Sequence, residues 1–167
     1  YINNDEAFNN TIFLFYGDHE AKLAKSEFNY LYNYNPQTKT IKTEEDEGYY
    51  NYDYYAHELN KNTPLIIWSK DPKIRQQINR EVTYYMGMYD VLPTLSNMMG
   101  VKNSEYALGH DVFSTDDHFV IFPNSNWVTD KMYFDSQNGE AITLDEGDVI
   151  STDYIEKYTK IAEAQIA

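Results

Sequence analysis

The run Thr11-Ile12-Phe13-Leu14-Phe15-Tyr16 constrains this chain more than any other segment. It is continuously apolar, rich in β-branched and aromatic side chains, and bounded by Asn9-Asn10 before and Gly17 after. Such a run reads as a strand covered on both faces, the kind found inside a parallel sheet. A second run, Pro64-Leu65-Ile66-Ile67-Trp68-Ser69, is entered through a proline, which can open a strand without breaking its ladder. The two are expected to be neighbours in one sheet.

The rest of the chain fits an α/β fold. Residues 29–55 are polar and tyrosine-rich, with the acidic run Glu44-Glu45-Asp46-Glu47. They read as a surface excursion, with helical pieces near residues 27–34 and 50–60. Asp71-Pro72 reads as a turn. Val91, Leu92, Leu95, Met98 and Met99 recur at near-helical spacing, with Gly100 as the stop, Pro93 in the first turn and Asp90 as the cap. Phe119-Val120-Ile121-Phe122 and Lys131-Met132-Tyr133-Phe134 read as strands, and Asn138-Gly139 as the turn of a terminal hairpin. Tyr154, Ile155, Tyr158, Ile161 and Ala162 form one stripe of a C-terminal helix capped by Ser151 or Thr152. No repeat or linker interrupts residues 1–167, which read as one domain or one part of one.

Composition removes several function classes. With 17 Tyr, 8 Phe and 2 Trp among 167 residues, the chain carries too much aromatic surface for a disordered segment. No run approaches the roughly 20 apolar residues that a membrane helix needs, and no signal peptide opens the chain. Because the first residue is Tyr1, the chain is expected to be cut from something longer. A formal net charge of -14 disfavours nucleic acid, whose phosphates need Lys and Arg. The same field would repel a phosphate or sulfate ester unless a metal cation inverts the local sign. The absence of cysteine excludes disulfides, thiolate zinc sites and a cysteine nucleophile.

Chemistry concentrates at Gly17-Asp18-His19, at the carboxyl end of the first strand, where ligands bind in open parallel sheets. Glycine allows a sharp turn, Asp supplies a hard anionic oxygen and His a borderline nitrogen. That mixture suits Mn²⁺, Zn²⁺ or Mg²⁺. A turn with a capping Asp and an exposed His is the plainer alternative.

Phe13-Leu14-Phe15-Tyr16-Gly17-Asp18-His19 resembles the strand and metal-binding Asp-His of the alkaline phosphatase and sulfatase superfamily, and above all its lipoteichoic acid synthase branch of phosphoglycerol transferases. Further similar segments follow in the family's order: residues 63–69, then Met88-Tyr89-Asp90-Val91-Leu92-Pro93-Thr94-Leu95 with Met98-Met99-Gly100-Val101, then Leu108-Gly109-His110-Asp111-Val112-Phe113. The resemblance covers nearly the whole chain. It implies the C-terminal part of an α/β/α sandwich, with a small terminal hairpin and a C-terminal helix. It further implies one divalent metal, most often Mn²⁺ in this branch, held by Asp18 and His19. An acidic ligand and a nucleophilic threonine would come from an N-terminal half.

The implied reaction is attack on a phosphatidylglycerol head group, through a glycerophosphoryl-threonine intermediate that a polymer hydroxyl resolves. Asp18 and His19 act in it as ligands only, since a metal-bound His is neutral and cannot also donate the proton. The implied setting is the extracellular face of a bacterial membrane, with the membrane anchor in N-terminal helices outside these residues. Taken alone, the segment is expected to be inactive and to hold metal weakly. Glu20 stands where sulfatases often carry glycine after the His, which weakens a sulfatase assignment more than the metal assignment.

The remaining candidates read as structural. His57 reads as a surface or packing histidine and His118 as exposed; Gly109-His110-Asp111 looks like a reversed Asp-His site, but the family resemblance implies that Gly109 and Asp111 are turn residues and His110 no ligand. Asp90 is explained by capping. The acids at 44–47 read as solvated, because a calcium loop spaces its ligands at alternate positions. Tyr49, Tyr50, Tyr52, Tyr54 and Tyr55 could stack on sugars, but packing is the favoured reading. Two alternatives stand beside the transferase: a sulfatase or other phosphoric or sulfuric ester hydrolase, and a non-enzymatic acidic surface-binding module.

Overall fold

The computed structural model describes residues 2–103, 107–114, 117–145 and 147–166, with the side chains of residues 54 and 55 outside the description. The chain is mixed α/β and divides into two compact units, Tyr1–Arg80 and Glu81–Ala167.

In the first unit, β1 (Ile12–Tyr16) pairs with β4 (Leu65–Ser69). Neighbouring strands were expected; their direction was not. The pair is antiparallel, with Tyr16 opposite Leu65 and Ile12 opposite Ser69. An apolar run carries no information on direction, and here the connection returns the chain to the end it left, where Gly17 N–H donates to the Pro64 carbonyl at 3.3 Å. Nor is β1 covered on both faces: Phe15 is 54% exposed and Ile66 on β4 is 56% exposed.

Between these strands lie α1 (Lys25–Asn33), the hairpin β2 (Tyr34–Asn35) and β3 (Thr40–Ile41), and α2 (Tyr54–Leu59). Glu27 accepts the Ala24 N–H at 2.6 Å to start α1, and Asp53 accepts the Ala56 N–H to start α2. Buried Asn33 ties down the tyrosine-rich excursion, exchanging two 2.8 Å bonds with the Tyr50 backbone. Asp71-Pro72, read as a turn, instead opens α3 (Pro72–Ile78). Asp71 accepts the Lys73 N–H, and Pro72 takes the first helical position, where its missing N–H costs nothing.

The second unit opens with a 3-10 turn, Met88–Asp90, that leads into α4 (Val91–Met98), and continues with a four-stranded antiparallel sheet. The strands run in chain order: β5 (Phe119–Ile121), β6 (Trp127–Thr129), β7 (Met132–Asp135) and β8 (Glu140–Thr143). The hairpin at Asn138-Gly139 joins β7 to β8 as expected. α5 (Thr152–Ile166) starts with Ser151 Oγ accepting the Tyr154 N–H. Its stripe packs on Phe119, Trp127, Met132 and Phe134, and fully buried Trp127 stacks on Phe134 at 5.2 Å. Burial of such large side chains dominates the energetics of a core this small. Among the described residues, no helix is long and apolar enough to cross a membrane.

Candidate functional site

Gly17 positions the Asp-His pair. A Cβ at Gly17 would sit 2.8 Å from the Thr63 Cβ, so only glycine lets the chain leaving β1 pass this close to the chain entering β4. Because the strands are antiparallel, Asp18 and His19 lie at the carboxyl end of β1 but at the amino end of β4. The argument from parallel-sheet crevices therefore does not place them; the turn does.

The two side chains come together in the open. His19 Nε2 stands 3.6 Å from Asp18 Oδ1, with the side chains 50% and 86% exposed respectively. His19 Nδ1 lies 2.7 Å from the Glu20 carbonyl oxygen. A carbonyl can only accept, so Nδ1 carries the proton, and in the neutral ring Nε2, on the Asp18 side, is the nitrogen left to bind a cation. This is the arrangement that orients ligating imidazoles. Two donors on one divalent cation, each at about 2.1 Å, stand about 3–3.5 Å apart, close to the observed separation. The donor set fits a hard or borderline cation as a partial site, since no group of three or more His, Cys, Asp or Glu side chains that could hold a metal occurs among the described residues. The Glu20 carbonyl first, and then the Asp18 charge, hold the His19 pKa above its ordinary value.

The other histidines separate from this pair. His57 packs its ring on Phe28 and Tyr52 at 5.7 and 5.9 Å, and its Nδ1 is buried with no hydrogen-bond partner, in keeping with a packing histidine. His110 packs edge-on to Phe119, while Gly109 and Asp111 do form the turn: Asp111 Oδ1 accepts the Phe113 N–H at 3.0 Å. His118, read as exposed, is half-buried and stacks on Tyr84 with centroids 3.7 Å apart. A lone histidine before a strand carries no signal for that stack; the partner lies 34 positions earlier.

Asp90 is the residue whose role the sequence disguised. It precedes α4 and makes no side-chain bond into that helix, but its carboxylate caps the 3-10 turn Met88–Asp90 that leads into it. It is 3% exposed and accepts N–H groups from Gly87 and His110, each at 2.7 Å. Thr94 completes the clamp, donating to the Asp90 carbonyl and accepting the Val112 N–H. Gly109, at φ +93°, brings its backbone so close that a Cβ would fall 2.6 Å from Asp90 Oδ1. The segments at 88–95 and 108–113 thus form a structural joint.

In the acidic run, Asp46 accepts the Thr43 N–H and hydroxyl, which lower its pKa, and the acids at 44–47 are exposed as expected. Tyr52 is buried against Phe28 and Tyr32, while Tyr50 is half-exposed; the side chains of Tyr54 and Tyr55 lie outside the described residues.

No family model and no solved structure matches the chain. Among curated proteins, it is 31% identical over 147 residues to lipoteichoic acid synthase 1 of Bacillus subtilis (strain 168). The match takes in 83% of this chain but 20% of that protein, so the chain spans about a fifth of its relative's length. At that level of similarity, the chain is a distant relative of lipoteichoic acid synthase 1.

Proposed function

We propose that this chain is the C-terminal part of the catalytic domain of a metal-dependent phosphoglycerol transferase, acting in lipoteichoic acid synthesis. The likeness to lipoteichoic acid synthase 1 carries the reading, and the paired donors at Asp18 and His19 support it. The mixed α/β composition and C-terminal helix are consistent with part of a sulfatase-like sandwich.

Asp18 supplies a charged oxygen and His19 a neutral nitrogen whose tautomer the Glu20 carbonyl sets. The cation they would hold is Mn²⁺, with Mg²⁺ or Zn²⁺ as alternatives. When bound, it neutralises charge on a phosphoryl oxygen and acidifies a hydroxyl nucleophile. Neither side chain moves a proton in the transfer. The remaining acidic ligand and the threonine nucleophile belong to an N-terminal half, which also tethers the protein to the outer face of the cell membrane. The substrate is a phosphatidylglycerol-type lipid.

The test is transfer of glycerophosphate from a fluorescent phosphatidylglycerol by the longer protein that carries this segment, with Mn²⁺ supplied. Asp18→Ala and His19→Ala should each lower turnover by at least about a hundredfold, because each removes a direct ligand. Hydrolysis of an aryl sulfate with no lipid turnover would move the assignment to the sulfatases. Wild-type turnover in both variants would refute the proposed site.

A further inference from the structure

We propose that the cavity beside α5 in the second unit is a binding site for a neutral polyhydroxyl ligand, a sugar ring or a polyol. The proposal does not rest on the metal reading of Asp18 and His19. The cavity holds about 410 Å³, within the range of about 300–1,000 Å³ typical of small-molecule sites. It lies where the β6–β7 turn, the segment entering β5 and one side of α5 meet, and Tyr84, Tyr154 and Tyr158 line it together with polar groups.

Three features select the ligand class. First, the walls are aromatic and held in place. Tyr84 is stacked on His118, Tyr154 donates its hydroxyl to Thr129 Oγ1 at 3.0 Å, and Tyr154 and Tyr158 pack at 4.7 Å. Lys131 Nζ stands 5.7 Å over the Tyr154 ring and Lys157 Nζ 4.7 Å over that of buried Tyr158, so the tyrosines form a fixed wall rather than open faces, and such a wall loses little entropy on binding.

Second, the polar groups offer both acceptors and donors. Asp117 and Asp130 can accept ligand hydroxyls, while Lys131 can donate. Lys157 and the Tyr158 hydroxyl reach Asp117 at 2.7 and 3.0 Å, both on Oδ2, so Oδ1 is the oxygen that a ligand hydroxyl would meet. A hydroxyl donates and accepts at once, and a ring bearing several of them matches this lining.

Third, charged ligands fit worse. Two carboxylates in a chain of net charge -14 oppose an anion, and Lys131 together with Lys157 opposes a cation.

A heteronuclear NMR titration of the 167-residue chain with glucose, N-acetylglucosamine and glycerol, each to high millimolar concentration, tests the proposal. The expected result is saturable shifts at the amides of residues 117–118, 130–131 and 154–158 with at least one probe. Asp117→Asn should weaken that binding by about tenfold or more, since it removes a charge-assisted acceptor. Asp130→Ala, at an exposed turn, tests the same contact without disturbing the Asp117 bridge to α5, and should also weaken binding. The Asp18→Ala variant should bind the sugar as the parent does, which separates this site from the metal proposal. The proposal is overturned by unsaturable or absent shifts with all three probes, by shifts centred elsewhere, or by inorganic phosphate alone moving these amides.

Discussion

His19 Nε2 faces Asp18 Oδ1 at 3.6 Å while the Glu20 carbonyl holds the opposite ring nitrogen at 2.7 Å. The Glu20 carbonyl thus orients the imidazole and leaves Nε2 on the Asp18 side. Local turn geometry does this, through a glycine at which an added Cβ would sit 2.8 Å from the Thr63 Cβ.

Gly17→Ala should therefore destabilise the first unit. The added methyl would meet Thr63 Cβ at 2.8 Å and Cγ2 at 3.0 Å, and overpacking of this kind costs about 1–3 kcal/mol. Urea unfolding measures it. Thr63→Gly in the same chain should recover part of the loss, because it removes both atoms in the clash; a purely additive double variant would contradict the contact.

Asp90→Ala should cost about 2–4 kcal/mol, since it leaves two backbone donors without their acceptor in a buried setting. Asp90→Asn keeps one acceptor oxygen and should cost less. Hydrogen exchange at the Gly87 and His110 amides should accelerate in both variants before that of the sheet. Unchanged protection there would show that the carboxylate is not the joint.

Stability should fall with acid through His57. Burial first, then the charges of Lys61 and Lys25, hold its folded pKa below the ordinary 6.5, against the weaker pull of Glu58 and Glu20. The contribution is complete above about 6.5, where both states are neutral, and is lost as pH falls through the lowered folded value, because the unfolded chain takes the proton first. His19 shifts the opposite way, so the comparison is between the parent and His57→Phe in urea melts from about pH 7.5 to 5. The parent should lose more stability on acidification. Parallel curves would contradict the assignment.

Local chemistry made much of the fold legible. The α5 stripe, the Asn138-Gly139 hairpin and the two strands flanking the excursion follow from periodicity and turn residues. Strand direction was not legible, because Phe13-Leu14-Phe15 would look the same in either orientation. α3 was readable and missed: Asp71 followed by Pro72 is a helix start as much as a turn. Within the site, Asp18 and His19 could be named because they are adjacent in sequence. Asp90 with His110 and Tyr84 with His118 could not, since each pair is joined only by the folded chain.

The central claim, that Asp18 and His19 form one cation-binding pair, is tested most directly by paramagnetic broadening of amide signals as Mn²⁺ is titrated into the 167-residue chain. Two ligands hold metal weakly, so broadening should grow gradually with added Mn²⁺, begin at residues 17–20, and be lost there in His19→Ala and in Asp18→Ala. Broadening that begins at the acids of residues 44–47, or that persists at 17–20 in both variants, would contradict the account.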